Sequence, residues 1–129
     1  MFATNIAKKL EELIGKEIHP DFGQPFIKIF EQTYSGKHEE VLAAAYCCSL
    51  FLSCLLAKMP TEILHTFTYY TKERYHRFSF NCKMYETLFA KTGSNDLKSI
   101  YLINEKREGF TRSCSKQDIF EAFDFYTNQ

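Results

Sequence analysis

The chain has 129 residues, with 16 basic and 16 acidic side chains and a formal net charge of zero. This length predicts one domain, residues 1–129, and the neutral balance argues against a dedicated nucleic-acid binder, which needs an excess of basic side chains. Only five Gly and three Pro are present, so the turn-rich all-β folds are disfavoured and an all-α domain is predicted.

The first half of the chain predicts three helices. Apolar residues of the segment 4–14 recur at helical spacing. Pro25 suits the first position of a second helix, FIKIFEQTY. The third helix begins near Lys37, with Glu39 and Glu40 in its first turn, and ends before Pro60. The apolar positions of the first helix are Ile6, Leu10, Leu13 and Ile14.

Val41–Ala57 is the most unusual segment, because none of its residues is charged. It is shorter than the roughly 20 residues that span a bilayer, so we predict a helix buried on all sides and no membrane partner. A small bundle can barely cover such a helix, and the surplus apolar surface predicts a homodimer. A central helix covered entirely by its own chain is the alternative. The residues predicted to make the self-association contact are Ala44, Ser49 and Phe78.

A long fourth helix is predicted from Thr61 to Lys91. Apolar or small residues recur through this segment at gaps of three and four, which is helical periodicity. Helix propensity is weakest at residues 79–81, where we expect a kink.

The region 97–114 admits two structures. Helical spacing slightly favours a short helix, but the β-formers IYLI and FTRSC could also pair across NEKREG as a small hairpin near 99–114. Ser115 and Asp118 have the spacing of a capping box that opens a last helix. The fold prediction is therefore an all-α bundle of five to six helices, with a possible hairpin.

The five cysteines predict an intracellular, cytoplasmic protein. Their number is odd, they form no CxxC pair, and the N-terminal residues lack the apolar region of a signal peptide. We expect reduced thiols that behave as small buried apolar groups.

Basic and aromatic residues interleave between residues 69 and 83. Tyr and Arg are the residues that protein-interface hot spots favour, and the same mixture can hold a phosphate backbone and stack on bases. A solvated outer face, balanced by the acidic last helix, is the third interpretation. The predicted partner-binding residues are Tyr69, Tyr70, Lys72, Arg74, Tyr75, Arg77 and Lys83.

Two ExxH pairs, Glu62 with His65 and Glu73 with His76, resemble half-sites of di-iron bundles. On one helix they stand roughly 16 Å apart, too far to bind one metal cluster within a single chain. The sequence contains no phosphate-binding Gly-rich loop, no serine-nucleophile motif and no HExxH. We therefore predict no catalytic residues and no cofactor. The leading prediction is a non-catalytic protein-interaction module, the alternative is a nucleic-acid binder, and a metal-dependent enzyme is third.

Overall fold

The structure, a computed structural model, describes residues 5–24, 26–34, 36–76, 82–89 and 96–128. These residues form a mainly α fold with one small two-stranded antiparallel sheet. In chain order the elements are α1 (Asn5–Ile14), α2 (Phe26–Thr33), α3 (His38–Ala57), α4 (Thr61–Arg74), α5 (Cys82–Phe89), β1 (Asp96–Ile103), β2 (Gly109–Ser115) and α6 (Lys116–Thr127).

Helix α3 is the centre of the fold. The helices α1, α2, α4 and α6 and the strand β1 all pack against it. Among the described helices it is the one long and apolar enough to cross a membrane, yet 78% of its most apolar window is buried inside the chain. The prediction of a helix buried on nearly every side is confirmed, and the cover comes from the chain itself.

Aromatic side chains fill the space around α3. Phe26 packs on Phe30 and edge-on against Phe123, while Tyr46 packs edge-on against Phe67. All four Phe residues are fully or almost fully buried. Each such ring removes a large apolar area from water, so the high aromatic content is used mainly for the core.

Side-chain caps fix two of the helix starts. The Glu40 carboxylate accepts the N–H of Lys37 at 3.0 Å, at the start of α3. At the start of α6, the Ser115 hydroxyl accepts the Asp118 N–H and the Asp118 carboxylate accepts the Ser115 N–H, each at 3.1 Å. The capping box predicted for the last helix is therefore confirmed.

The single long fourth helix was a wrong prediction. Helix α4 ends at Arg74, because Tyr75 has extended backbone angles (φ −128°, ψ 144°). Residues 77–81, which include the kink predicted at 79–81, lie outside the described residues, and a separate helix α5 follows from Cys82. The apolar periodicity is real on both sides, but aromatic and β-branched residues hold a helix weakly, so a regular spacing did not guarantee continuity.

The preference for a helix at 97–104 was also wrong, and the hairpin alternative is confirmed. Strand β1 pairs with β2 in antiparallel register, with Leu102 opposite Phe110 and Ile103 opposite Gly109. The side chain of Asn104 closes the turn by accepting the N–H groups of Lys106 (2.9 Å) and Glu108 (3.0 Å). The all-α prediction is corrected to mainly α.

Candidate interaction surface

The outer side of α4 is the most exposed of the predicted binding regions. Its inward positions are buried towards α3, so the opposite positions remain at the surface. Tyr69 is 65% exposed, which makes it the most exposed large apolar side chain of the described residues. The buried positions are Ile63, Leu64, Phe67, Thr68 and Thr71.

Tyr70 lies on the side of α4 that faces α1. Arg74, one turn later, places its guanidinium carbon 4.3 Å from the centroid of the Tyr70 ring. Lys9 of α1 places its ammonium nitrogen 5.3 Å from the same centroid. Cations at these distances are attracted by the aromatic quadrupole. The structure thus brings Tyr70 and Arg74 together and adds Lys9, whereas Tyr69 stands about 100° around the helix from Tyr70.

The remaining predicted binding residues are not part of this group. Lys72 is exposed and stands about 200° around the helix from Tyr70, but it is three residues after Tyr69 and shares the outer side of α4 with it. Tyr75 lies beyond the end of α4, where burial and the neighbouring Glu39 carboxylate, which shares a hydrogen bond with its hydroxyl, raise its pKa. Arg77 and the side chain of Lys83 lie outside the described residues.

The residues predicted for self-association do not form a surface. Ala44 and Ser49 are completely buried within the single chain, so neither has exposed area for a second copy. Phe78 lies outside the described residues. The contact through Ala44 and Ser49 is therefore not available to the folded chain, because α1, α2, α4, α6 and β1 already cover α3.

Two other surface features stand outside the predicted set. Leu55, at the end of α3, is 46% exposed. An open groove of about 510 Å³ lies between the α1–α2 loop and the hairpin, with the ring of His19 stacked on Tyr101 at 4.3 Å. Neither contains a buried charged group.

The corner where α2 meets α3 holds a buried carboxylate. Besides the Lys37 N–H, the Glu40 carboxylate accepts the Tyr34 hydroxyl at 3.0 Å. Burial raises the pKa of Glu40, but the hydrogen bonds from Lys37 and Tyr34, and the nearby His76, outweigh it. The net pKa of Glu40 is lowered, so this group is ionised in the folded protein at neutral pH and stabilises the corner.

Among the described thiols, those of Cys47, Cys48 and Cys114 are buried and that of Cys54 is half-buried. Burial raises the pKa of Cys48 well above its usual range, that of Cys54 to about 11 and, with Asp118 nearby, that of Cys114 to about 12. The thiolate is the reactive form, so these groups are poor nucleophiles. The side chain of Cys82 lies outside the described residues.

The ExxH pairs do not converge. Glu62 and His65 are exposed on α4, whereas His76 lies past its end and interacts with Glu40. Within the described ranges, no group of three or more His, Cys, Asp or Glu side chains is arranged to hold a metal ion.

Sequence reasoning missed Lys9 and the His19–Tyr101 groove. Both depend on contacts between segments far apart in the chain, and no local spacing encodes them. The basic residue of α1 carries no motif, and only the packing of α1 on α4 brings it to Tyr70.

Comparison with known proteins gives one partial likeness. An alignment of 95 positions, which covers 69% of this chain, is 32% identical to the 3-dehydroquinate synthase of Parabacteroides distasonis. The chain spans about a quarter of that protein's length (27%). No protein-family model matches the chain. No solved structure matches it either.

Proposed function

We propose that this chain is a non-catalytic, intracellular helical module that binds another protein through the outer side of α4. The observation that carries the proposal is the 65% exposure of Tyr69 on α4, the helix that also carries the Tyr70–Arg74 contact. A large half-apolar ring at the surface gains free energy when a partner covers it, and Tyr and Arg dominate interface hot spots. Because a helix holds these side chains, little conformational entropy is lost on binding.

The charges of α4 favour a protein partner over a nucleic acid. Lys72 and Arg74 are accompanied on the same helix by Glu62 and Glu73. A phosphate backbone is bound by the summed neutralisation of many phosphates, and interspersed carboxylates oppose it. The nucleic-acid alternative predicts an affinity that falls steeply and log-linearly with salt, whereas burial of an aromatic residue predicts a shallow dependence.

The proposal is tested by immobilising the purified chain and comparing the proteins that wild type and Tyr69→Ser retain. A protein retained by wild type is then purified, and its affinity is measured by calorimetry. Loss of a hot-spot ring is expected to weaken binding by about tenfold or more. Phe120→Ser is the matched control, because Phe120 is a 54% exposed aromatic residue on a different helix. Equal affinity of wild type and Tyr69→Ser for each purified partner contradicts the proposal.

A second candidate function follows from the partial likeness to a 3-dehydroquinate synthase. In this second candidate, the chain contributes to such an activity together with a further polypeptide. The test is to assay 3-dehydroquinate formation by the purified chain, alone and with its identified partner. Because the chain spans 27% of that relative, we expect no activity from the chain alone. Activity that appears with the partner favours this second candidate.

A further inference from the structure

Lys9 and Arg74 form a pair of cations that two different helices bring to one ring. Both charges lie over the Tyr70 ring, at 5.3 Å and 4.3 Å from its centroid. They are therefore within about 10 Å of each other, close enough for mutual repulsion at a protein surface. The attraction of each cation to the ring holds the pair in place despite that repulsion.

Neither cation is neutralised by a carboxylate in the part of the chain that the structure describes. The ion pairs found there join His19 to Asp21 and His38 to Glu31. Glu39 lies close to Tyr75, the residue after Arg74, but its carboxylate accepts a hydrogen bond from the Tyr75 hydroxyl. Glu73 precedes Arg74 and stands three residues after Tyr70 on α4, but no ion pair joins it to Lys9 or Arg74 among the described residues.

We infer that the Lys9–Arg74 pair binds a carboxylate group on an acidic segment of the protein partner, an inference that rests on the proposed function. The Arg74 guanidinium lies over the ring, and its N–H groups can donate two parallel hydrogen bonds to a carboxylate. The Lys9 ammonium adds a second charge to the same anion. Tyr69 stands about 100° around α4 from Tyr70 and offers exposed apolar area to a different side chain of the segment.

An acidic protein segment fits this surface better than a nucleic acid. Two cations suit one or two carboxylates, whereas a nucleic acid requires a longer cationic track. Glu62 and Glu73 on α4 interrupt any such track. A protein segment can place one carboxylate on the pair and keep its other charges away from α4.

The test uses the whole chain and three probes: a short labelled peptide of Glu and Leu, its version with Gln in place of Glu, and oligothymidylate. We expect the Glu peptide to bind about tenfold more tightly than the Gln peptide. Lys9→Gln and Arg74→Gln should each weaken the Glu peptide about fivefold and leave the Gln peptide unchanged. Lys8→Gln is the matched control, since it removes the same charge at the adjacent exposed position.

Tyr70→Phe and Tyr70→Leu add an internal check. Phe retains the ring that positions both cations, so it should bind like wild type, and Leu should weaken the Glu peptide as the cation variants do. Equal binding of the Glu and Gln peptides, absence of binding by both, an equal effect of Lys8→Gln and Lys9→Gln, or tighter binding of oligothymidylate overturns the inference. A partner that requires Tyr69 and ignores Lys9→Gln and Arg74→Gln overturns it while the proposed function stands.

Discussion

At the scale of single residues, two hydroxyl groups on α3 have opposite roles. The Ser53 hydroxyl accepts the N–H of Ile103 at 3.1 Å and donates to the Ser49 carbonyl at 2.9 Å, which joins α3 to β1. The Ser49 hydroxyl is equally buried and has no hydrogen-bond partner among the described residues. A buried polar group stabilises the fold only when it is paired.

Replacement of these two serines by Ala should therefore have different effects. Ser53→Ala leaves the buried Ile103 N–H unpaired and should lower the free energy of unfolding by about 1–3 kcal/mol. Ser49→Ala removes an unpaired group and should leave that free energy unchanged or raise it by up to about 1 kcal/mol. Urea denaturation measures both. If Ser49→Ala lowers the free energy of unfolding as much as Ser53→Ala does, this explanation is wrong.

The lowered pKa of Glu40 predicts a dependence of stability on pH. The ionised carboxylate stabilises the α2–α3 corner above the ordinary pKa of 4.5, and this stabilisation is lost as pH falls through the folded-state pKa. Glu40→Gln should be about 1 kcal/mol less stable than wild type at pH 7. The difference should shrink as pH falls below about 4.5. A difference that stays constant from pH 7 to pH 3 contradicts this role.

The raised thiol pKa values predict slow chemistry and a loss of stability in alkali. Native protein at pH 8 should react slowly with a thiol reagent at Cys48, Cys54 and Cys114, and denatured protein should react at all five cysteines. Above the ordinary thiol pKa of 9.0 the unfolded chain ionises first, so stability should fall as pH rises towards 11–12. Fast labelling of Cys48 in native protein would refute the burial argument.

At the scale of elements, the sequence predicted the helix bounds that depend on local residue patterns. The bounds of α3 followed from its charge-free run and Pro60, and the start of α6 followed from the Ser115–Asp118 box. The end of α4 at Arg74 and the choice of hairpin over helix did not follow. The hairpin is favoured by tertiary packing, since Ile100 and Leu102 of β1 are completely buried.

The candidate site likewise has residues that the sequence predicted and residues that it did not. Tyr69, Tyr70 and Arg74 share α4 and were predicted from the interleaving of basic and aromatic residues, and the structure places Arg74 over the Tyr70 ring. Lys9 was not predicted, because its position depends on the packing of α1. Tyr75 does not lie with these residues, because α4 ends before it.

At the scale of the whole molecule, self-association stays a prediction, but Ala44 and Ser49 are buried within the chain and cannot make the contact. Ala44→Glu places a charge in the core and should leave the chain unfolded at every concentration. Leu55→Glu alters an exposed side chain and should leave the fold intact. Circular dichroism shows whether each variant is folded, and light scattering measures its oligomeric state. A folded Ala44→Glu contradicts the assignment of α3 to the core, and a wild-type monomer at high micromolar concentration contradicts the homodimer.

The central claim is that the outer side of α4 binds a protein partner. Its most direct measurement is amide hydrogen exchange of the chain, with and without the partner that wild type retains. We expect partner-dependent protection in α4 around Tyr69 and Arg74 and in α1 around Lys9, with none around Phe120 of α6. Protection confined to other elements, with α4 unchanged at saturating partner, would contradict the claim.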